Sequence, residues 1–284
     1  MKLNQPSAEI WTPDGTEEND ALGYVRHMAI AAHQDDVEIM ALDGILAGFG
    51  NRGFMAVIAT DGAGSPRAGR YASYSDEQMQ LVRRLEQKKA AFVGEYSAVA
   101  FLDHSSAAVK DGSDPAPKHD LKTILTACHP EIIYTHNLAD KHDTHVAVAL
   151  QTIAAIRELP QERHPKKLYA CEVWRDLDWL VDSDKVVFNL GKCENIATSL
   201  VGVFDSQIAG GKRYDLAIQG RRRANATYLQ SHAVDAAGWI DFGMDLTPLI
   251  QNPQLDPAEY IQTFIQRFAE DVNRRIERFN FSEK

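Results

Sequence analysis

Apolar positions along the chain fall into short continuous runs separated by longer stretches with helical spacing. Val25–Ala32, Phe54–Thr60 (FMAVIAT), Ala98–Leu102, Glu131–Thr135 (EIIYT), Leu168–Trp174 and Lys185–Leu190 read as strands, the last nearer a sheet edge. Between and after them Glu38–Phe49, Asp76–Val93, His119–Cys128, Thr144–Leu159, Asn195–Gln207 and Arg213–Leu229 carry apolar residues three and four apart, which predicts helices. Gly50 and Gly53 stop the first helix, Gly94 the second and Pro160 the fourth. Pro257–Phe279 is a terminal helix with Pro257 in its first turn. Residues 1–22 read as a polar extension packed through Trp11, and Gly238–Pro248 as a loop. This alternation predicts an α/β fold: a Rossmann-like three-layer sandwich with a mainly parallel sheet and helices on both faces. Strands apolar throughout fit burial on both sides. With no repeat or linker, residues 1–284 are expected to form one domain: an extension (1–22), a βα core (25–160) and a part that shapes a pocket (161–284).

Composition narrows the partners. The chain has 284 residues, 44% hydrophobic and 25% charged, with a formal net charge of −10. That charge argues against nucleic acid, whose phosphates need clustered Lys and Arg. The short runs Arg221-Arg222-Arg223 and Lys166-Lys167 read as solvated surface. No signal-peptide pattern opens the chain, and no window approaches the ~20 apolar residues of a membrane span. Cys128, Cys171 and Cys193 lie far apart and read as reduced thiols of a cytoplasmic protein.

Two polar clusters interrupt this pattern. The first strand runs into Ala31-Ala32-His33-Gln34-Asp35-Asp36-Val37-Glu38. In open α/β sheets ligands bind beyond the carboxyl ends of the strands. A histidine and two carboxylates there are costly to bury unless something pairs with them, and a divalent metal is the obvious partner. His33 and Asp36, three apart, aim at one ion, and imidazole with carboxylate suits Zn²⁺. Asp35 stays free to take a proton from a metal-bound water as general base. After EIIYT comes Thr135-His136-Asn137-Leu138-Ala139-Asp140-Lys141-His142-Asp143-Thr144-His145. His145 supplies a third ligand and leaves the open position a catalytic zinc needs. His142, one helical turn earlier, faces the substrate as proton donor or electrostatic stabiliser.

AHQDDVE followed by HDTH resembles the paired signatures AHPDDE and HPDH of the PIG-L / LmbE-like family of zinc-dependent de-N-acetylases. The likeness extends to Thr60-Asp61-Gly62-Ala63-Gly64, to Arg83-x-x-Glu86 with Ala90-Ala91 and Gly94, and to Phe101-Leu102-Asp103, covering residues 25 to about 155. The resemblance implies zinc on His33, Asp36 and His145, Asp35 as general base, and His142 as the partner that stabilises the oxyanion or protonates the leaving amine. The implied reaction removes an N-acetyl or related N-acyl group from an amino sugar or glycoconjugate. Three departures stand out. Gln34 replaces a proline. Val37-Glu38 leaves a carboxylate at 38, expected to hydrogen-bond a ligand histidine. Thr144 replaces the aspartate that orients the neighbouring histidine, so Asp143 or Asp140 is expected to orient His142 instead.

Arg67, Arg83, Asp103, His104 and Asp143 are candidate substrate contacts, with His232 and Tyr228 behind them. Trp174, Trp179 and Trp239 read as core or rim, one of them a platform for a sugar face. Three other functions compete. A member impaired by HDTH would bind sugar or metal only. A two-metal phosphoesterase wants more clustered carboxylates than the chain offers. A nicotinamide enzyme needs G-x-G-x-x-G after the first strand, where Gly62-Ala63-Gly64 does not lie. The expected partner is a small N-acetylated sugar or glycoconjugate, with homo-oligomers allowed.

Overall fold

The computed structural model describes residues 1–279. Eight strands form one sheet: β1 (Glu9–Trp11), β2 (His27–Ala31), β3 (Phe54–Thr60), β4 (Ala98–His104), β5 (Ile132–His136), β6 (Lys167–Cys171), β7 (Val186–Asn189) and β8 (Ile240–Asp245). Their order is β1-β4-β3-β2-β5-β6-β8-β7. The central run from β4 to β6 is parallel, while β1 on β4, β8 on β6 and β7 on β8 are antiparallel. The sheet is thus mixed, with a parallel centre and antiparallel borders.

Two of these strands correct the sequence reading. Glu9–Trp11, inside the expected extension, pairs with β4, and Trp11 packs edge-on against Phe92. A helix, α1 (Glu18–Tyr24), follows it. The expected loop at 238–248 contains β8, which lies between β6 and β7 and is nearly all buried. Its sequence, IDFGMD, alternates as a strand should, but two aspartates and a glycine give it the composition of a turn. Gly243 is needed there, because a Cβ would come 2.7 Å from the Phe188 ring.

The first predicted helix is divided into α2 (Asp36–Met40) and α3 (Leu42–Gly48), with Ala41 at φ −118° between them. Next come α4 (Asp76–Val93), opened by a Ser75–Gln78 capping box, then α5 (Ser106–Lys110), α6 (Ala116–Cys128) and α7 (Asp143–Arg157). The stretch 195–207 likewise divides into α8 (Glu194–Gly202) and α9 (Asp205–Ile208), followed by α10 (Tyr214–Tyr228), α11 (Thr247–Gln251) and α12 (Pro257–Arg278). Alternate strand residues enter two separate apolar clusters, as a period of two demands. Met28, Ile30, Met55 and Val57 join residues of α1, α6, α7 and α12. Ala29, Ala31, Phe54 and Ile58 join residues of α3, α4, α8 and α10. No helix among the described residues is long and apolar enough to cross a membrane.

β2 sits between β3 and β5, so the chain order reverses direction at the β2–β5 pair. A crevice opens at the carboxyl ends of strands where such a reversal occurs, and both polar clusters lie there. The short helix α2 is anchored on two sides. Glu38 Oε1 accepts from Gln87 Nε2 and from the Tyr96 hydroxyl, each at 2.7 Å, and touches no histidine of the cluster, contrary to expectation. Arg222 of α10 donates to the carbonyls of Glu38 and Ile39 at 3.1 Å and pairs with Asp241 of β8 at 3.0 Å. Arg222 is 1% exposed, so the basic run of α10 is not simply solvated. Removing one partner of a buried pair costs about 3–5 kcal/mol, whereas a solvated pair such as Lys122–Glu158 is worth about 0–1.

Burial pushes the Glu38 carboxyl up from its ordinary 4.5 to about 8, against the lowering effect of its two hydrogen bonds. The folded state therefore holds this proton more tightly than the unfolded chain. Its contribution is full below about 4.5 and is lost as pH rises through about 8. Glu38→Gln, which keeps both acceptor contacts, is expected to gain stability over the natural chain progressively between pH 5 and 9. Urea midpoints across that range test this, and a pH-independent difference between the two proteins would refute it.

Candidate active site

Beyond β2 the chain turns through Ala32-His33-Gln34-Asp35 into α2. Asp35 has φ +93°, left-handed backbone that a non-glycine residue adopts only where its surroundings enforce it. The enforcement comes from α4. Arg83, 2% exposed, donates to the Gln34 carbonyl and pairs with Asp35 Oδ2 at 3.1 Å, while Gln87 Oε1 accepts the Asp35 N–H at 3.3 Å. Gly62 (φ +78°) lies against the same turn, where a Cβ would meet Gln34 Oε1 at 2.6 Å. The glycine after β3 thus serves close approach, with no nucleotide loop.

Asp36 Oδ2 lies 3.1 Å from His33 Nδ1 and 3.3 Å from His145 Nε2, and those two nitrogens are 3.2 Å apart. Ligand atoms about 2.0–2.1 Å from a tetrahedral ion stand roughly 3.3 Å from one another. The triangle therefore has the dimensions of one face of a metal tetrahedron, with the fourth corner open. It combines residues beyond β2 with one from α7, as the two sequence clusters suggested. Two overlapping trios, His33–His142–His145 and Asp36–His136–His145, also keep their donor atoms within 4.8 Å.

Spacing alone assigns His136 no role. It is fully buried at the end of β5, stacked on the His145 ring at 3.9 Å between centroids. Its Nε2 accepts the Ala32 N–H at 2.8 Å, which occupies the lone pair a metal would need. His136 thus braces both sides of the site from below. The only sequence signal was its place as the last residue of an apolar strand, where a polar side chain must find a buried partner.

Asp140 resolves the question raised by Thr144. Its Oδ2 faces His145 Nδ1 at 3.4 Å and accepts the Trp174 N–H at 3.2 Å, while Oδ1 accepts the His142 backbone N–H at 3.0 Å. Asp140 therefore orients His145, not the His142 ring. Asp143 is exposed at the start of α7 and orients neither. Among the described residues, His142 Nδ1 is buried without a partner.

The electrostatics separate the two adjacent carboxylates. Burial raises both, but the histidines, His145 foremost, hold Asp36 well below the usual range. Asp35 stays raised because burial and the neighbouring Asp36 charge outweigh Arg83. Burial alone would lower His145, yet the Asp36 and Asp140 carboxylates carry it to about 9. Burial and the charges of His145 and His33 lower His142. One carboxylate is thus fixed as an anion while the other remains basic enough to accept a proton, a pattern that assigns different tasks to paired acids.

His33, Asp35, Asp36, His142 and Thr144 line a crevice of mixed character and about 300 Å³, together with Ser65, Lys110, Gln207, Trp174 and Tyr214. Of the expected substrate contacts only Arg83 lines it, and its guanidinium is engaged with Asp35. Arg67 pairs with Asp76 and holds the loop through the Ala63 carbonyl. Asp103 pairs with Arg84 in a separate depression. His104 is fully buried, bonded to Asp120 and Gln5. Arg67, Asp103, His104 and Asp143 do not line the crevice: the first three are paired elsewhere, and Asp143 is exposed at the start of α7. Tyr228 (80% exposed) and His232 also lie outside it. Gln207 and Tyr214 were not legible, since nothing in their spacing ties them to residues 33–36.

Known proteins bear on this geometry at two levels. Among curated proteins no sequence matches the chain. Three solved structures share its fold at 15% sequence identity. A conserved protein from Thermus thermophilus has a TM-score of 0.61, covering 82% of this chain and 99% of its own. The N,N'-diacetylchitobiose deacetylase of Pyrococcus horikoshii has a TM-score of 0.60, covering 80% and 85%. The 4-carboxy-2-hydroxymuconate hydratase GalB of Pseudomonas putida has a TM-score of 0.58, covering 78% and 96%. A hydratase beside a deacetylase shows that this fold does not choose the reaction. Residues 28–156 match the profile of the GlcNAc-PI de-N-acetylase (PIG-L) family. That span holds both polar clusters and Arg83, and it identifies this part of the chain as a PIG-L domain.

Proposed function

We propose that the chain is a zinc-dependent hydrolase that cleaves the amide of an N-acetylated or N-acylated amino sugar or glycoconjugate. The observation that carries this reading is the triangle of His33 Nδ1, Asp36 Oδ2 and His145 Nε2, with edges of 3.1–3.3 Å, beside a carboxylate that is off the triangle. Two imidazoles, one carboxylate and an open corner suit Zn²⁺. The family match to residues 28–156 agrees with it. The two apolar clusters on opposite sides of one sheet support reading the whole chain as a single three-layer domain.

When bound, the ion supplies a Lewis acid and makes water more acidic. Asp35 takes the proton of the attacking water. Burial makes this carboxylate more basic, and Arg83 at 3.1 Å holds it in place and keeps it ionised. Asp140 locks the His145 ring through Nδ1, which presents Nε2 to the triangle. His142, with its lowered proton affinity and no carboxylate on its ring, works as a neutral imidazole whose one N–H serves the developing oxyanion. Thr144 in place of an aspartate thus supports oxyanion stabilisation over proton donation. The proton on Asp35 goes to the departing nitrogen, giving a free amine and a carboxylate.

Asp35→Asn is expected to bind one zinc per chain, by metal analysis, while acetate release from N-acetylated amino sugars falls by about 10²–10⁴-fold. Undiminished release would remove Asp35 from the mechanism. Asp140→Asn is expected to weaken zinc about 10–100-fold in chelator competition, and unaltered affinity would separate Asp140 from the metal site.

A further inference from the structure

A second recess opens from the same residues. It measures about 130 Å³ and is lined by Ile39, Val173, Trp174, Ala217 and Ile218, together with Asp35, Asp36, Tyr214 and Arg221. Asp35, Asp36, Trp174 and Tyr214 line both this recess and the larger crevice, so they form a waist between an apolar lobe and a more polar one. Arg221 is no free anion hook. It donates to the Val173 carbonyl at 2.8 Å, and its charge answers the buried Asp241 and Glu172.

An N-acyl amino sugar has the same division: a hydroxyl-rich ring on one side of the amide and a hydrocarbon on the other. We propose that the apolar recess is the seat of the acyl group and that it selects chains longer than acetyl. This rests on the amide-hydrolase reading above. Volume decides the chain length. An apolar cavity of about 150 Å³ holds a benzene ring, so this recess takes about four to six carbons, and an acetyl methyl leaves most of it empty. The reaction is otherwise unchanged: the amide C–N bond breaks, water adds OH to the acyl carbon, and its remaining proton goes to the amine nitrogen.

Zinc-loaded protein is given N-acetyl-, N-butanoyl- and N-hexanoyl-glucosamine, and kcat/KM is measured by amine release. Each buried methylene is worth about fourfold, so hexanoyl is expected to exceed acetyl by at least about tenfold. Ala217, exposed on the rim, offers a control that the fold tolerates. Ala217→Phe closes the recess and is expected to bring the hexanoyl-to-acetyl ratio close to one. The same sugars titrated into Asp35→Asn by calorimetry are expected to bind in the same order. Acetyl equal to or better than hexanoyl overturns the chain preference and leaves amide hydrolysis standing. An unaltered ratio in Ala217→Phe removes the acyl group from this recess. No turnover of any sugar overturns the hydrolase reading, and the calorimetric order then decides the recess independently.

A different observation concerns α12. Ile265, Phe268, Val272 and Ile276 of α12, with Phe279 just past its end, form a stripe with exposures of 38–64%. Their spacing of three, four, four and three is symmetric about Val272. Charges follow the same symmetry: a second helix laid antiparallel across Val272 places Glu270 opposite Arg274 and Arg267 opposite Glu277, with no like charges opposed. Arg267 and Arg274 already pair with Asp184 and Asp271, but both are at least half exposed and retain free donors. A pattern that matches itself when reversed is what an isologous two-fold contact requires. We infer that α12 pairs with α12 of a second copy of this chain.

Light scattering on the full chain at micromolar concentration is expected to give a dimer, and Val272→Glu a monomer with unaltered circular dichroism. Glu270→Arg is expected to weaken the dimer, and Glu270→Arg with Arg274→Glu to restore it. A monomeric natural chain, or a dimer indifferent to Val272→Glu, overturns the inference.

Discussion

Two carboxylates side by side in a buried turn are the constraint on which the rest of the site depends. Asp35 and Asp36 repel each other and both lose water, so the fold must supply opposite charge from two directions. It does so from elements far apart in the chain. Arg83 on α4 answers Asp35, and His33 and His145 answer Asp36. The left-handed backbone at Asp35 lets neighbouring residues turn their carboxylates to different partners. Without that bend, the acids would compete for the same counter-charge.

Around this turn the supports form successive layers. His136 and Asp140 set the histidine that meets Asp36, and Gln87 and Arg83 set the turn itself. Glu38 and Arg222 then hold the helix on which Asp36 stands. Most of these groups are polar and buried, so each is fixed by its hydrogen bonds. The cost is paid in proton affinities pushed away from ordinary values.

Much of this was legible in sequence because apolar runs and glycine stops are local signals. β3 and α4 fall where their patterns place them, and the two clusters converge as their positions beyond β2 and β5 require. What escaped was written in non-local pairings. β8 looked like a turn because Asp241, the residue that makes it polar, is neutralised by Arg222 nineteen positions earlier. The same pairing hid Arg222 inside an apparently solvated run. Asp140 and Asp143 are equivalent by spacing, and only the ring position of His145 tells them apart. His104 resembled a site residue until Asp120 and Gln5 claimed both its nitrogens.

One hydrogen bond, from the Trp174 main chain to Asp140, has a consequence for how such a protein diversifies. It joins the half that holds Asp36 and His145 to the half that supplies Trp174, Tyr214 and Ile218. Because the donor is the backbone N–H, any residue at 174 except proline can preserve the junction. The wall of the crevice can therefore change its side chain at this position without losing its link to Asp140 and, through it, to His145.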